Sequence, residues 1–506
     1  AGLISPRSVV RSHFPLPKII MKKYLIICLF SLIFLISGII FYQYVSNNII
    51  GKVEGNTQII KNLIPKTFKD FLKKTLFKTK YSSIEKNNEL KLIKKFHENN
   101  VILYEGKLRL TETVKISNLH DKKYYLKKFS FPQLSTYGMG MKPPGYLGIH
   151  NDKLIIVTGK GDFMHLSLSD LNKEQINFNF FENNFDKLID KKKYIMPGLN
   201  APRDIEIIGD ELFVSYHDKY SCDKLSIAKA KINYNFLNFE KFFSWKGCVN
   251  KKFNLKNNDT LLDQQSGGRI RDLDENNIIF TIGSFDEYSE KESFSQDMNS
   301  LFGSIIMINK QNQTYKILSK GHRNQQGLYY DKDNDIILSS EHGPMGGDEL
   351  NVIKTNLQDI QNFGWPISSY GNHYPSSHHD WENIDKKDLL YELAPLNKSH
   401  VDYGFIEPIK YWTPSIAISE VIKIPNKFDK AFENDFFVAS MGNVVAEGDH
   451  TIHHLRFDKN FKKITFNDEI IINERIRDLV YDKKNNAVVL ILGNTPSLAV
   501  LKNNPN

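Results

Sequence analysis

The chain has 506 residues, 12% of them aromatic, a formal charge of +9 and three cysteines. That length can hold one large repeat domain or several ordinary ones, and the many short Ile/Val/Phe/Tyr runs favour β structure. The positive charge is confined to the N-terminus: residues 1–45 carry five basic residues and no acid, residues 46–100 carry twelve lysines against five acids, and the rest of the chain nets −3. A main body of that sign argues against a nucleic-acid binder.

Residues 1–20 begin without Met, are left unassigned and are set aside from fold reasoning. Residues 21–45 contain an uncharged apolar run from Tyr24 to Tyr42 behind Lys22 and Lys23, which predicts a transmembrane signal anchor. The two lysines place the N-terminus in the cytoplasm and everything after residue 45 on the extracytoplasmic (periplasmic) side. The expectation is therefore a single-pass membrane protein. No small-x-small site follows the run, which favours an uncleaved anchor over a removed signal peptide. Residues 46–100 are Lys-rich with apolar residues at helical spacing (Ile60, Leu63, Ile64, Phe68, Phe71, Leu72, then Leu90, Leu92, Ile93, Phe96) and predict a short helical stalk. Whether that stalk stands free, packs on the main body or rests on anionic headgroups stays open.

From residue 101 the pattern changes to short strands broken by polar turns, and one unit recurs: strand, Asn/Asp/Gly/Lys turn, strand. It begins at Tyr146, Arg203, Arg269, Gln326, Ser419 and Arg475. Six hairpin-centred modules over 101–506 predict an all-β fold, a six-bladed β-propeller, with two β-sandwiches as the alternative. Cys222 and Cys248 bracket two plausible paired strands and face the oxidising side, so they are either a disulfide or two unrelated buried thiols; Cys28 falls in the membrane run.

The densest stretch is 321–366. A polar corner (Gly321, His322, Arg323, Asn324) leads into a hairpin, which empties into a loop carrying Gly343, Pro344, Gly346, Gly347, Asp348 and Glu349. Charged and glycine-rich loops at the ends of a rigid sheet are where such scaffolds hold ligands. The strings GHRNQQGL, SSEHGPMGGDELN and NFGWP, with DQQSGGR (263–269), WTPSIA (412–417) and RIRD (475–478), resemble the soluble quinoprotein glucose/sorbosone dehydrogenase family. That resemblance implies a six-bladed propeller that oxidises aldoses with pyrroloquinoline quinone and calcium. It assigns Arg323 and Asn324 to the quinone, Arg475 and Arg477 to its carboxylates, and Trp412 and Ser415 to positions beside it. It gives the cofactor calcium to the carbonyls of Gly343 and Pro344. A structural calcium goes to Asp348, Glu349 and the main chain of Phe363.

The chain departs from the family pattern at three points. The catalytic base, a His four residues before the Arg of the GR string, is Gln265 here, with Gln264 beside it, and an amide cannot take a proton. The family Lys after its FVxSL strand falls on Gly442, and an early Gln falls at Leu199–Asn200. His342, His373, His378 and His379 are the candidate substitute bases. Three readings follow: a membrane-anchored sugar dehydrogenase, a calcium-braced propeller that has lost its chemistry and serves as a binding or assembly module, and a calcium-dependent hydrolase on the same scaffold. The substrate expected under the first is a small sugar, with an electron acceptor the residues do not identify.

Overall fold

The computed structural model describes residues 106–131, 134, 145–189, 202–218, 224–245, 265–285, 294–344, 346–371, 400–442 and 450–503. The expected anchor (21–45), the stalk (46–100), Cys222, Cys248, His373, His378 and His379 lie outside them. Among the described residues no helix is long and apolar enough to cross a membrane.

The strands pair as six antiparallel four-stranded modules. Blade 1 is Gly145–His150, Lys153–Thr158, Phe163–Ser167 and Gln175–Phe180. Blade 2 is Pro202–Ile208, Glu211–Asp218, Lys224–Lys231 and Glu240–Ser244. Blade 3 is Gly267–Asp272, Asn277–Ile282, Ser304–Asn309 and Tyr315–Lys320. Blade 4 is Gln325–Asp331, Ile336–Glu341, Asp348–Lys354 and Lys410–Trp412. Blade 5 is Ile418–Ile424, Asp435–Ser440, Thr451–Phe457 and Ile464–Ile471. Blade 6 is Ile476–Asp482, Ala487–Leu492 and Ser497–Lys502, completed by Lys123–Ser130 from the N-terminal side. Each first strand contacts the next, and that of blade 6 contacts that of blade 1, so the ring is closed and two separate sandwiches are excluded.

Closure is doubled by the preceding strand, Lys107–Ser117. It pairs along Lys123–Ser130 and, through Lys107, Leu108 and Arg109, with the outer strand of blade 1. Just beyond it, Asn118 bridges to Ile470 of blade 5 and donates to the Asp468 carboxylate. One N-terminal segment thereby ties blades 5, 6 and 1.

The second strands explain why the sequence reads as unbroken apolar runs. A propeller blade is covered on both faces, so both parities of such a strand are buried. Ile155 packs toward blade 2 and Ile156 toward blade 6. Phe213 faces blade 3 while Val214 faces blade 1. The same alternation holds for Ile279 and Phe280, Ile337 and Leu338, Phe436 and Phe437, and Val489 and Leu490. There are thus six apolar interfaces, one between each pair of neighbouring blades.

The first strands contact one another around the central channel, and those of blades 2 to 6 carry polar or charged residues near their starts. Those of blades 2 to 6 open with a β-bulge, at Pro202/Asp204, Gly267/Ile270, Gln325/Gly327, Ile418/Val421 and Ile476/Asp478. A bulge re-aims side chains at a strand end. Here the re-aimed segments carry Arg203, Arg269, Gln326, Glu420 and Arg477. Arg269, 1% exposed, is the hub. Its Nη1 lies 3.0 Å from Asp204 of blade 2, 2.7 Å from Glu420 of blade 5 and 2.9 Å from Asp478 of blade 6. Its Nε donates to the Gln326 carbonyl of blade 4 at 2.6 Å, and the guanidinium lies 5.2 Å from the Tyr146 ring of blade 1. One side chain on blade 3 therefore touches every other blade. Arg271 adds ion pairs to Asp204 and Glu420.

Two outcomes are expected. Arg269→Met leaves three buried carboxylates without their shared cation and should cost about 3–5 kcal/mol in urea unfolding. The second concerns Asp478, whose carboxyl burial pushes up to about 7, against the pull of Arg269 and with Glu420 and Asp204 adding to the rise. At pH 5 the folded chain holds a proton there that the unfolded chain, at about 3.9, has released. The stability this proton supplies is full below about pH 4 and lost as pH rises through about 7. Melting temperatures measured between pH 5 and pH 8 should fall with pH, and Asp478→Asn should flatten that slope.

Candidate functional site: an arginine-lined channel mouth

The site lies where the bulged ends of the first strands meet the corner between blades 3 and 4. That corner is held tightly. Gly321 has φ +74°, and a Cβ there would lie 2.3 Å from Asn362 Oδ1 and 2.5 Å from the Gly364 amide. Phe363 and Trp365 donate their amides to Lys320 O and Gly321 O, both at 2.9 Å. The Phe363 ring stacks on His322 at 4.8 Å, and His322 Nδ1 lies 3.2 Å from Glu341. NFGWP is in this way clamped to GHRN, and the Arg323 guanidinium rests over the Trp365 ring at 5.3 Å.

Several predicted residues converge. The Arg323 carbonyl accepts from the Ser284 amide at 2.8 Å, and Ser284 Oγ donates to Gln265 Oε1 at 3.2 Å, so Gln265 lies beside the GHRN corner. Asn324 Oδ1 accepts from the Gly267 amide at 3.3 Å and from Gln326 Nε2 at 2.8 Å. From blade 6, Arg477 Nη1 donates to Gln326 Oε1 at 2.7 Å and Nη2 to Tyr146 OH at 2.6 Å. Arg475 Nη1 approaches the Met441 carbonyl at 3.4 Å. Burial and the neighbouring Arg477 push its guanidinium down to about 10. Among the described residues neither Arg475 nor Arg477 has a carboxylate partner, and Arg477 Nε is buried with no hydrogen-bond partner.

His342 shares this mouth. Its Nε2 lies 2.7 Å from the Ile418 carbonyl, which makes Nε2 the protonated nitrogen. Burial, then Arg323, Arg477 and Arg475, push it down to about 3, so it is neutral near pH 7. Gly442, in place of the family Lys, lies next to Met441 and takes no side chain into the mouth.

Other predicted residues are placed elsewhere or engaged. Trp412 belongs to the apolar interface between blades 4 and 5 and meets His453 edge-on at 5.4 Å; it is a core residue here. Ser415 Oγ donates to Pro344 O at 3.4 Å, and Arg323 Nη1 donates to Gly343 O. The two carbonyls expected to hold calcium thus face donors, one of them a cation. This donor set does not fit a calcium ion without movement of Arg323.

The proposed structural ion fares similarly. Asp348 and Glu349 occupy successive positions of one strand and point to opposite faces. Asp348 accepts from the amides of Gly343 at 3.2 Å and of Ile416 and Ile418 at 3.1 Å, and burial holds its carboxyl up at about 6. It is a brace that locks the Gly-Pro loop to blade 5. Glu349 instead pairs with His400 at 3.0 Å. No cluster of three or more His, Cys, Asp or Glu side chains suited to a metal occurs among the described residues.

Sequence reasoning missed the side chains that hold the site from below: Tyr146, Asp204, Gln326, Glu420 and Asp478. A signal was there for part of this set. Arg203-Asp204 and Arg477-Asp478 occupy the same phase of the repeated hairpin, and both aspartates converge on Arg269.

The strands define an all-β, six-bladed propeller whose channel mouth is lined by arginines. Residues 249–499 match the family model described as Glucose / Sorbosone dehydrogenase, and over that stretch the chain belongs to this family. An uncharacterized protein of Synechocystis is 33% identical over 166 residues, 32% of this chain and 33% of that protein. The Aldose sugar dehydrogenase YliI of Escherichia coli is 27% identical over 138 residues, 25% of this chain and 32% of that protein. These matches span about a third of each relative's length. In fold, the chain is similar to the soluble aldose sugar dehydrogenase of Escherichia coli in its apo form. That likeness has a TM-score of 0.51 at 16% identity and covers 72% of this chain and 97% of that one. A crystal structure of a glucose dehydrogenase gives a TM-score of 0.52 at 16% identity, covering 73% and 98%.

Proposed function

We propose that the chain is a sugar dehydrogenase that removes hydride from a sugar hydroxyl carbon and delivers it to pyrroloquinoline quinone. The observation that carries this is the pair Arg475 and Arg477. Two guanidiniums lie side by side, buried or nearly so, with no carboxylate partner among the described residues and one orphaned nitrogen. Like charges held together in a low-dielectric site call for an anion. The cofactor's carboxylates are of the right chemistry. The quinone, when bound, supplies a two-electron acceptor that takes the hydride.

The chain's own residues then divide the work. Arg475 and Arg477 bind the carboxylates. Arg323 and Asn324 present N–H donors where negative charge builds as hydride arrives, the usual device of a preorganised site. Gln265 can hold a sugar hydroxyl by a hydrogen bond but cannot accept its proton. The family match and the Escherichia coli relative support the sugar as substrate class. The apolar run 24–42 behind two lysines supports a membrane-anchored chain with the propeller on the extracytoplasmic side.

One observation favours a second reading, a binding module that retains the cofactor mouth without turnover: Gln265 takes the place of a base, fixed by Ser284. The two are separated by adding pyrroloquinoline quinone to the full chain in detergent, with and without calcium, and following quinone binding and dye reduction over a panel of aldoses. Turnover supports the dehydrogenase; tight binding without turnover supports the module; no binding sinks both. Arg477→Met should weaken quinone binding at least about tenfold, the size of one hydrogen bond to a charged group. Gln265→His should raise turnover by about 10²-fold or more, the range typical of a positioned general base.

A further inference from the structure

Two predicted cofactor contacts, Asn324 on blade 4 and Arg477 on blade 6, come from blades that are not neighbours in the ring. They are joined by one side chain. The Gln326 amide donates through Nε2 to Asn324 Oδ1 at 2.8 Å and accepts through Oε1 from Arg477 Nη1 at 2.7 Å. Nε2 also reaches the Gln325 carbonyl at 3.2 Å. All three side chains are more than nine-tenths buried. The amide's orientation has a chemical consequence. With Asn324 Oδ1 taken by Gln326 and by the Gly267 amide, Asn324 is fixed with its acceptor inward, and its Nδ2 makes no hydrogen bond among the described residues. The donor end is the end left for a ligand.

The other side of Arg477 is fixed by Tyr146, which is fully buried. Its hydroxyl accepts from Nη2 at 2.6 Å, and its ring lies 5.1 Å from the Arg477 guanidinium and 5.2 Å from that of Arg269. The ring thus spaces a channel arginine that is neutralised by three acids from a mouth arginine that is not. Both Gln326 and Tyr146 hold Arg477 without neutralising it, because each offers an uncharged acceptor. A carboxylate in either place would hold it as well and cancel the charge that an anionic ligand needs.

We propose that Gln326 is a positioning residue: its single amide presents the donor face of Asn324 and the un-neutralised guanidinium of Arg477 together to an anionic, oxygen-rich ligand, with Tyr146 as the second clamp on Arg477. The proposal rests on the quinone-binding reading given above. It goes beyond that reading by naming residues that need not touch the cofactor and by stating why one of them must be an amide.

The discriminating substitution is Gln326→Glu, nearly identical in shape. It replaces the Nε2 donor by a second acceptor, which turns the Asn324 amide round, and it supplies Arg477 with a counter-charge. A merely structural role predicts an unchanged or raised melting temperature and unchanged ligand affinity, since the tie to Arg477 becomes an ion pair. The positioning role predicts an unchanged or raised melting temperature with pyrroloquinoline quinone binding weakened by about tenfold or more. Tyr146→Phe, which keeps the ring and removes only the hydroxyl, should weaken binding in the same direction with a smaller effect. In an Arg477→Met background Gln326→Glu should lose most of its effect, because residues acting through one another are not additive.

The measurement is quinone titration of the full chain in detergent beside a thermal melt. Equal quinone affinity in Gln326→Glu and the unsubstituted chain overturns the positioning role alone. A matching loss of affinity and of melting temperature overturns it too, in favour of simple misfolding. Failure of the unsubstituted chain to bind the quinone overturns the underlying reading, and the positioning role with it.

Discussion

A ring of six sheets has no covalent reason to close on itself, and its centre is the one place where all six can be fixed by a single group. Arg269 is that group. It meets the carboxylates of Asp204, Glu420 and Asp478, the carbonyl of Gln326 and the ring of Tyr146, one partner from each of the other five blades. A guanidinium suits this position because it stays charged when buried and presents donors in several directions from one plane. Lysine has a single ammonium and could not span the same set. The N-terminal segment closes the ring from outside and Arg269 closes it from inside. The apolar interfaces between blades then supply the bulk of the burial.

The hub also explains the mouth. Arg269 and Arg271 use up the channel acids: Asp204 and Glu420 are shared between the two, and Asp478 is taken by Arg269. Arg477 is left with neutral acceptors. The polarity of the channel is therefore graded, from neutralised charge below to surplus positive charge at the mouth. An anion is drawn to the end where Asn324 and Arg323 wait. The same surplus holds His342 neutral, which removes a competing cation and leaves the mouth chemistry to the arginines.

Much of the architecture was legible in the residues. The six hairpins beginning at Tyr146, Arg203, Arg269, Gln326, Ser419 and Arg475 each became the first two strands of a blade, because two facing apolar strands around a polar turn is a local pattern. Ring closure was not legible, since pairing Lys123–Ser130 with Ser497–Lys502 joins segments more than 350 residues apart and leaves no periodic trace. In the site, Arg323, Asn324, Arg475 and Arg477 lie around one channel mouth, linked through Gln326 and His342. Trp412 packs in the apolar interface between blades 4 and 5, where an outer-strand tryptophan finds its nearest apolar neighbours. Asp348 and Glu349 did not share a site, because adjacent strand positions face opposite ways, a constraint visible in the sequence once the strand is placed.

Two of the three departures from the family pattern are of one kind. Gln265 and Gly442 both remove ionisable side chains, a base in the first case and a cation in the second. What remains at the mouth is positive charge: guanidiniums that stay charged at neutral pH, Arg477 held by a neutral amide and a phenol. Such a mouth stays positively charged at ordinary pH, while Gln265, at the place of the family histidine, cannot carry a proton away. The step that family members assign to histidine would then fall to solvent or to the ligand itself. Positive charge and the place of a base are carried by different parts of the ring: Arg477 lies on blade 6, and Gln265 lies beside the corner between blades 3 and 4.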